Sequence, residues 1–280
     1  MKVIKDLVLD EERALYNITD TKIINIKFEG PSDGESALKE CSNIEIENCY
    51  FNLRYPLWHV NGFKMVSSES TQNARAAIWY CKNINIDNCK LNGIKALREC
   101  ENILIDNTII ESFEFGWKSK KITMSNSSIM GEYLFFDSNI IKLNNVQLKG
   151  KYSFQYVTSL EINNSNLDTK DAFWHANNVI VKDSILKGEY LGWYSNNLTL
   201  INCKIIGTQP LCYCKNLTLI DCTMDNCDLS FENSEVKGNI IGYVESIKNP
   251  LRGTLIVDSV GELINDDTKY GCSGSVIIKK

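Results

Sequence analysis

Ile84-Asn85-Ile86-Asp87-Asn88-Cys89-Lys90-Leu91 sets the frame for the chain, because its pattern returns as Ile103-Leu104-Ile105-Asp106-Asn107-Thr108-Ile109-Ile110. The pattern then restarts at Ile122, Ile141, Leu160, Val179, Leu198 and Leu217, so seven successive intervals are each 19 residues long. A single coil of that length cannot bury its own apolar face. Coils stacked at a rise of ~4.8 Å share one continuous core, and this period therefore predicts a β-solenoid.

Counting the first Ile of a coil as position 0, strand alternation turns positions 0 and 2 inward and 1 and 3 outward. Position 4 is Asn or Asp in coil after coil (Asn48, Asn88, Asn107, Asn126, Asn145, Asn164, Asp183, Asn202, Asp221), which predicts a corner. Asn tolerates a left-handed backbone, and its amide can bond its counterpart in the next coil. An apolar position 7, a frequent Gly at position 9 and a second Asn at position 18 (Asn43, Asn83, Asn102, Asn178, Asn197, Asn216) complete the coil. Three strands and three corners make an all-β, single-stranded parallel β-helix. The missing hexapeptide beat of left-handed helices favours the right-handed form.

Outward from this stretch the repeat persists. The coil starting at Thr21 is lengthened by Pro31-Ser32-Asp33-Gly34, and the coil starting at Phe63 by residues around 72–77. Residues 1–20 lack the pattern and read as an N-terminal cap, with Asp10 capping a short helix over 11–16. Residues 21–280 read as one continuous β-helix domain. The formal net charge is -5, with no Lys/Arg block, which argues against nucleic acid as a partner. The charged start and the absence of any ~18-residue apolar run predict neither signal peptide nor membrane span, hence a soluble cytoplasmic protein.

The eleven cysteines follow the register: Cys49, Cys89, Cys203 and Cys222 share one column, Cys41, Cys81, Cys100 and Cys214 another. Ser, Thr, Val or Ala fill the same columns elsewhere, so the demand is for a small inward side chain, met here by reduced thiols. Zinc on Cys203, Cys212, Cys214, Cys222 and Cys227 would need a CxxC pair or a nearby His, and neither is present. No metal and no cofactor is expected, since the chain also lacks phosphate-binding loops, dinucleotide fingerprints and hydrolase elbows.

The third strand carries the candidate site. All five tryptophans fall at position 14 (Trp58, Trp79, Trp117, Trp174, Trp193), which predicts an aromatic stack turned into the core with positions 12 and 16. Arg98 and Gln155 fit poorly in such a column. The opposite face, positions 11, 13 and 15, gathers Tyr, Phe, carboxylates and both histidines of the chain. Candidate proton-transfer residues there are Asp137, His175 and Asp171. Candidate ligand contacts are Glu99, Lys118, Tyr133, Tyr152, Tyr156, Tyr190, Tyr194 and Tyr213. Such a strip suits a saccharide or similar small ligand, with tyrosines stacking on its rings, and is compatible with lyase- or hydrolase-type chemistry. Glu99 and Asp137, two coils apart, stand at about an inverting-glycosidase separation, but Lys118 between them favours both being ionised. The other reading is a non-catalytic scaffold that binds a protein, or a second copy of itself, through a ladder of paired charges and stacked rings.

The segments Gly34–Glu40 (GESALKE), Arg54–His59 (RYPLWH), Gly93–Cys100 (GIKALREC), Glu114–Ser119 (EFGWKS), Lys149–Tyr156 (KGKYSFQY), Asp168–His175 (DTKDAFWH), Gly188–Tyr194 (GEYLGWY) and Gly207–Cys214 (GTQPLCYC) resemble the bacterial family called domain of unknown function 3737. The resemblance spans nearly the whole chain and implies a pectin-lyase-like β-helix with no assigned activity. No catalytic motif of polysaccharide lyases or polygalacturonases maps onto these residues.

Overall fold

A computed structural model describes residues 1–266 and 270–279. Every regular element is a strand, and the strands pair in parallel. The chain divides into two compact units, Met1–Lys142 and Leu143–Lys280.

In the first unit the strands Thr19–Ile24, Ser42–Glu47, Asn61–Val66, Lys82–Asp87 and Glu101–Asp106 form one ladder, with Ile44, Phe63, Ile84 and Ile103 in register. Shorter strands such as Tyr50–Phe51, Glu69–Ser70 and Lys90–Asn92 form a second ladder. In the second unit Thr158–Asn163, Asn177–Lys182, Asn196–Ile201 and Leu217–Asp225 repeat the first ladder, with Leu160 opposite Val179 and Val179 opposite Leu198. The 19-residue offset is the register of a parallel β-solenoid. It breaks near the end: Leu217 faces Val236, but a bulge after Leu219 sets Cys222 opposite Ile240, and in the next pair Leu255 faces Gly238 instead of Val236.

Residues 1–20 correct the reading from sequence. Lys2–Lys5 pairs with the strand starting at Thr19, Ile4 opposite Ile23, and Val8 faces Lys27, so this segment is itself a coil. No helix covers 11–16. The backbone N–H groups of Arg13, Leu15 and Asn17 donate to Glu35, Ala37 and Lys39 of the next coil, at 2.9, 2.8 and 2.9 Å, instead of to their own preceding turn. Arg13 and Asn17 sit at φ 53° and 54°, outside helical space.

The two Asn columns are corners as expected. Asn88, Asn107, Asn164 and Asn202 have φ of 51°, 48°, 49° and 50°, and Asn83, Asn102, Asn197 and Asn216 have 55°, 58°, 55° and 50°. Amides of the position-18 column bond along it, for example Asn102 Nδ2 to Asn83 Oδ1 at 3.0 Å and Asn197 Nδ2 to Asn178 Oδ1 at 2.9 Å. In the position-4 column Asn202 donates to Asp183, but Asn107 and Asn164 donate to Asp87 and Asn144, one residue short of their column in the preceding coil.

The thiol columns do more than save space. In the column of Cys89, the Cys89 N–H donates to Thr108 Oγ1 at 3.3 Å and the Thr108 N–H to Ser127 Oγ at 3.0 Å. In the column of Cys81, the Cys81 N–H donates to Cys100 Sγ at 3.4 Å and the Cys100 N–H to Ser119 Oγ at 3.1 Å. Each side chain therefore satisfies a corner amide of the preceding coil, which is why Ser, Thr and Cys recur there. Burial pushes the Cys49 thiol up to about 11 and those of Cys212 and Cys227 to about 12.

Candidate functional site

The third segment of each coil is not an ordinary strand. It forms two-residue strands at Leu57–Trp58, Ile78–Trp79 and Leu97–Arg98, and elsewhere it is a run of turns. Its backbone repeatedly enters the left-handed region, at Tyr152, Phe154 and Tyr156 (φ 58°, 62°, 58°) and at Asp171, Phe173 and His175 (55°, 63°, 55°). A pleat needs continuous β dihedrals, so side chains here do not alternate in and out.

Two expectations are corrected as a result. Position 13 was assigned outward, yet Phe135, Phe154, Phe173 and Leu211 are fully buried. Where this position is Gly it makes room: a Cβ on Gly116 would stand 2.7 Å from Phe135 Cδ1. The Trp column was assigned inward, yet all five indoles are only half-buried, flanking the Tyr/His column at position 15. Arg98 is at home there, its guanidinium 5.7 Å from the Trp79 ring and 5.3 Å from the Trp117 ring.

In the first unit, Lys39 Nζ lies 4.6 Å over Trp58, Trp58 stacks on Trp79 at 6.1 Å, and His59 stacks on Tyr80 at 5.0 Å. Glu99 pairs with its neighbour Arg98 at 3.2 Å, and Lys95 pairs with Glu114 at 3.5 Å. Lys118 makes no ion pair with Glu99 or Asp137 among the described residues, so that part of the expected charge ladder does not form. Lys118 and Asp137 are exposed. The Tyr133 carbonyl accepts the Trp117 indole N–H at 2.6 Å.

In the second unit, position 15 builds a row of four rings. Tyr156 and His175 are 5.0 Å apart, His175 and Tyr194 5.1 Å, Tyr194 and Tyr213 4.9 Å, with planes within 8° to 11° of parallel. The faces cover one another, so the outward-facing parts are ring edges. Tyrosines stacking their faces on a sugar, as expected from sequence, is therefore not what this geometry offers. Burial and the charge of Glu232 raise the Tyr213 phenol above its ordinary value.

Beside this row, Trp174 and Trp193 stack at 5.6 Å, and each indole N–H is tied to a carbonyl of the next coil, Tyr190 O at 2.8 Å and Gln209 O at 2.7 Å. Tyr190 meets Trp193 edge-on at 5.3 Å and carries Lys170 Nζ at 5.1 Å. Tyr152 is half-buried in the same column as Asp171 and Tyr190. Asp171 is 4% exposed and is the one buried acidic or basic residue among those described. Burial raises its carboxyl above the usual carboxylate range, partly opposed by Lys170. Lys170 itself is committed to Glu189 at 2.7 Å.

Of the sequence candidates, the second unit thus gathers Tyr152, Tyr156, Asp171, His175, Tyr190, Tyr194 and Tyr213 along adjoining columns, while Glu99, Lys118, Tyr133 and Asp137 belong to the first. Trp174 and Trp193 are absent from the sequence candidates because the Trp column reads as core, and Lys170 because position 10 lies outside the face that carries them. Arg98 and Gln155 within that column were the signal against it. A separate groove of about 240 Å³ in the first unit, lined by Gln72, Gly93, Ile94, Glu111, Ser112 and Phe113, adjoins the 72–77 insertion.

Comparison with known structures finds distant relatives in shape. A surface adhesin of Streptococcus pneumoniae, PfbA, is 10% identical with a TM-score of 0.39, covering 92% of this chain and 81% of that one. The catalytic domain of a GH87 α-1,3-glucanase is 11% identical with a TM-score of 0.32, over 98% of this chain and 63% of that one. An endo-xylogalacturonan hydrolase from Aspergillus tubingensis is 10% identical with a TM-score of 0.30, over 99% and 92%. Likeness at this level bears on neither ligand nor activity. No curated protein matches the sequence. The profile of the family described as "Protein of unknown function (DUF3737)" matches residues 2–278, and the chain belongs to that family.

Proposed function

We propose that the strip of the second unit binds a linear, carbohydrate-like ligand lying along the direction in which its coils stack, contacted through ring edges. The observation that carries this reading is the row Tyr156, His175, Tyr194, Tyr213, one ring per coil, with φ between 55° and 59° at every member. Two other left-handed corners of the coil are filled mostly by Asn, which after Gly adopts this backbone most readily, with Lys121, Ile140 and Ser159 as exceptions at one of them. A Tyr or His there costs about 1 kcal/mol. Each stacked pair returns about 0.5–1.5 kcal/mol, so the row is close to neutral for stability. Stability alone thus gives little reason to prefer rings over Asn. What rings add is a regular series of hydroxyl and imidazole edges at the coil spacing, suited to a polymer of hydroxylated units.

The strip is read as a binding surface. Within the second unit His175 makes no side-chain hydrogen bond among the described residues, so no group orients it as a general base. Thermal-shift titration with oligosaccharides and nucleotide sugars tests the reading, using a Tyr194→Phe/Tyr213→Phe variant that keeps both stacks and removes two hydroxyls. At least one saccharide should stabilise the wild type and stabilise the variant less. No shift for the wild type, or equal shifts for both, refutes it.

A further inference from the structure

For each tryptophan that begins a stack in the position-14 column, the residue 19 places earlier is the one that the repeat sets beside it in the preceding coil. For Trp58 this is Lys39, 4.6 Å from the ring, and for Trp117 it is Arg98, at 5.3 Å. For Trp174 it is the neutral Gln155. Trp174 stacks on Trp193, and no other ring or cation packs on it among the described residues. At the one place where the chain withholds its own cation, the indole is also held rigid by its N–H bond to Tyr190 O.

A second feature converges on the same spot. Positions 11 and 14 of one coil are neighbours, as Tyr55 with Trp58 at 6.4 Å and Tyr190 with Trp193 at 5.3 Å illustrate. In the coil of Trp174, position 11 is Asp171. The residue is 4% exposed, and its carboxyl accepts no hydrogen bond and joins no ion pair among the described residues. The position-11 carboxylate of the first unit, Glu114, is by contrast neutralised by Lys95. A buried carboxyl without a partner is unfavourable, and Asn would serve this left-handed position as well without the charge.

We infer that Trp174 and Asp171 form a subsite for a positively charged amino group, so that the saccharide taken by the strip is one bearing free amines. The ammonium sits over the open indole face, where Lys39 and Arg98 sit in the first unit, and Asp171 supplies the negative field beside it. Lys170 does not compete, since its ammonium is held by Glu189 and Tyr190. This inference rests on the carbohydrate-binding reading and narrows its ligand class.

The test is calorimetric titration of a glucosamine hexamer against its fully N-acetylated counterpart, in mildly acidic buffer where the free amines are charged. The wild type should prefer the free-amine oligomer by about tenfold, the range a partly desolvated cation–π contact supplies. Gln155→Lys places a chain cation over Trp174, as Lys39 lies over Trp58, and should remove the preference. Asp171→Asn should remove it too while raising the melting temperature, a combination that a purely structural Asp171 would not produce. Equal affinity of the wild type for both oligomers, or a preference surviving both substitutions, overturns the inference and leaves the carbohydrate reading standing. If no saccharide of any kind binds, both fall.

Discussion

The indoles of Trp174 and Trp193 lie 5° from parallel at 5.6 Å, and each is pinned through its N–H to a carbonyl 16 residues further on. Stack and hydrogen bond together make a rigid outer platform from side chains that are only half-buried. Trp193→Phe should keep the stack and lose the hydrogen bond, lowering stability by about 1 kcal/mol. Trp193→Ala should lose both, by about 2–3 kcal/mol, short of the full cost of a buried Trp because part of the ring is already wet. Denaturant titration of the two variants separates these contributions. Equal losses would mean that the indole N–H bond contributes nothing.

Corner chemistry gives a sharper contrast. Asn107 at φ 48° donates to Asp87 at 3.1 Å, so Asn107→Ala removes both the backbone tolerance and a ladder bond. It should cost about 1–2 kcal/mol. His175→Asn should gain backbone tolerance and lose two ring contacts, changing stability by less than about 1 kcal/mol. A loss above 2 kcal/mol for His175→Asn would show that the ring row is kept for stability and would remove the argument for a ligand.

The core and corners of this fold were legible because they answer to short-range rules. Ile84 and Ile86 alternate as a pleat dictates, and Asn88 marks a left-handed turn. The third segment was misread because alternation was extended to a stretch whose backbone is not pleated. Phe154 and Phe173, read as outward, stack on each other at 5.3 Å inside the core, while Trp174 went to the surface. Gly116 and Gly192, at φ 78° and 77°, share a register position with those Phe residues and hint at the left-handed backbone. Nothing local in sequence marks Phe173 itself as adopting it. Asp171 likewise read as one more polar residue of an exposed face. Its burial depends on how neighbouring coils pack, which the 19-residue pattern does not encode.

The buried thiols should be inert in the native protein. Thiolate is the reactive form, and burial holds Cys41, Cys49 and Cys214 up at about 11. Ten of the eleven cysteines are buried and Cys272 is partly exposed. Alkylation at mildly alkaline pH, read by mass spectrometry, should label Cys272 first and the rest only after denaturant is added. Cys100→Ser should be tolerated, because Ser119 performs the same role one coil later. Cys100→Val should cost about 1–2 kcal/mol by stranding the Cys81 N–H. Rapid labelling of all eleven would contradict the packing.

The pH dependence of stability isolates Asp171. Its carboxyl titrates higher in the folded protein than in the unfolded chain, so the folded state binds the extra proton. Stability from this group is fully present below the unfolded carboxylate value of ~3.9 and is lost as pH rises through the folded value. Asp258 acts with opposite sign: the Gly242 N–H and Lys279 hold its carboxyl low, so its stabilisation is present above the unfolded value and fades as pH falls. A melting curve of the wild type alone mixes the two. The difference between Asp171→Asn and wild type cancels Asp258 and every other unchanged group. That difference should favour the variant increasingly as pH rises from about 3 toward neutrality, then level off once Asp171 is fully ionised. A difference that is flat with pH would mean that Asp171 is charged and compensated in the folded protein, which would remove the argument for a cationic ligand beside it.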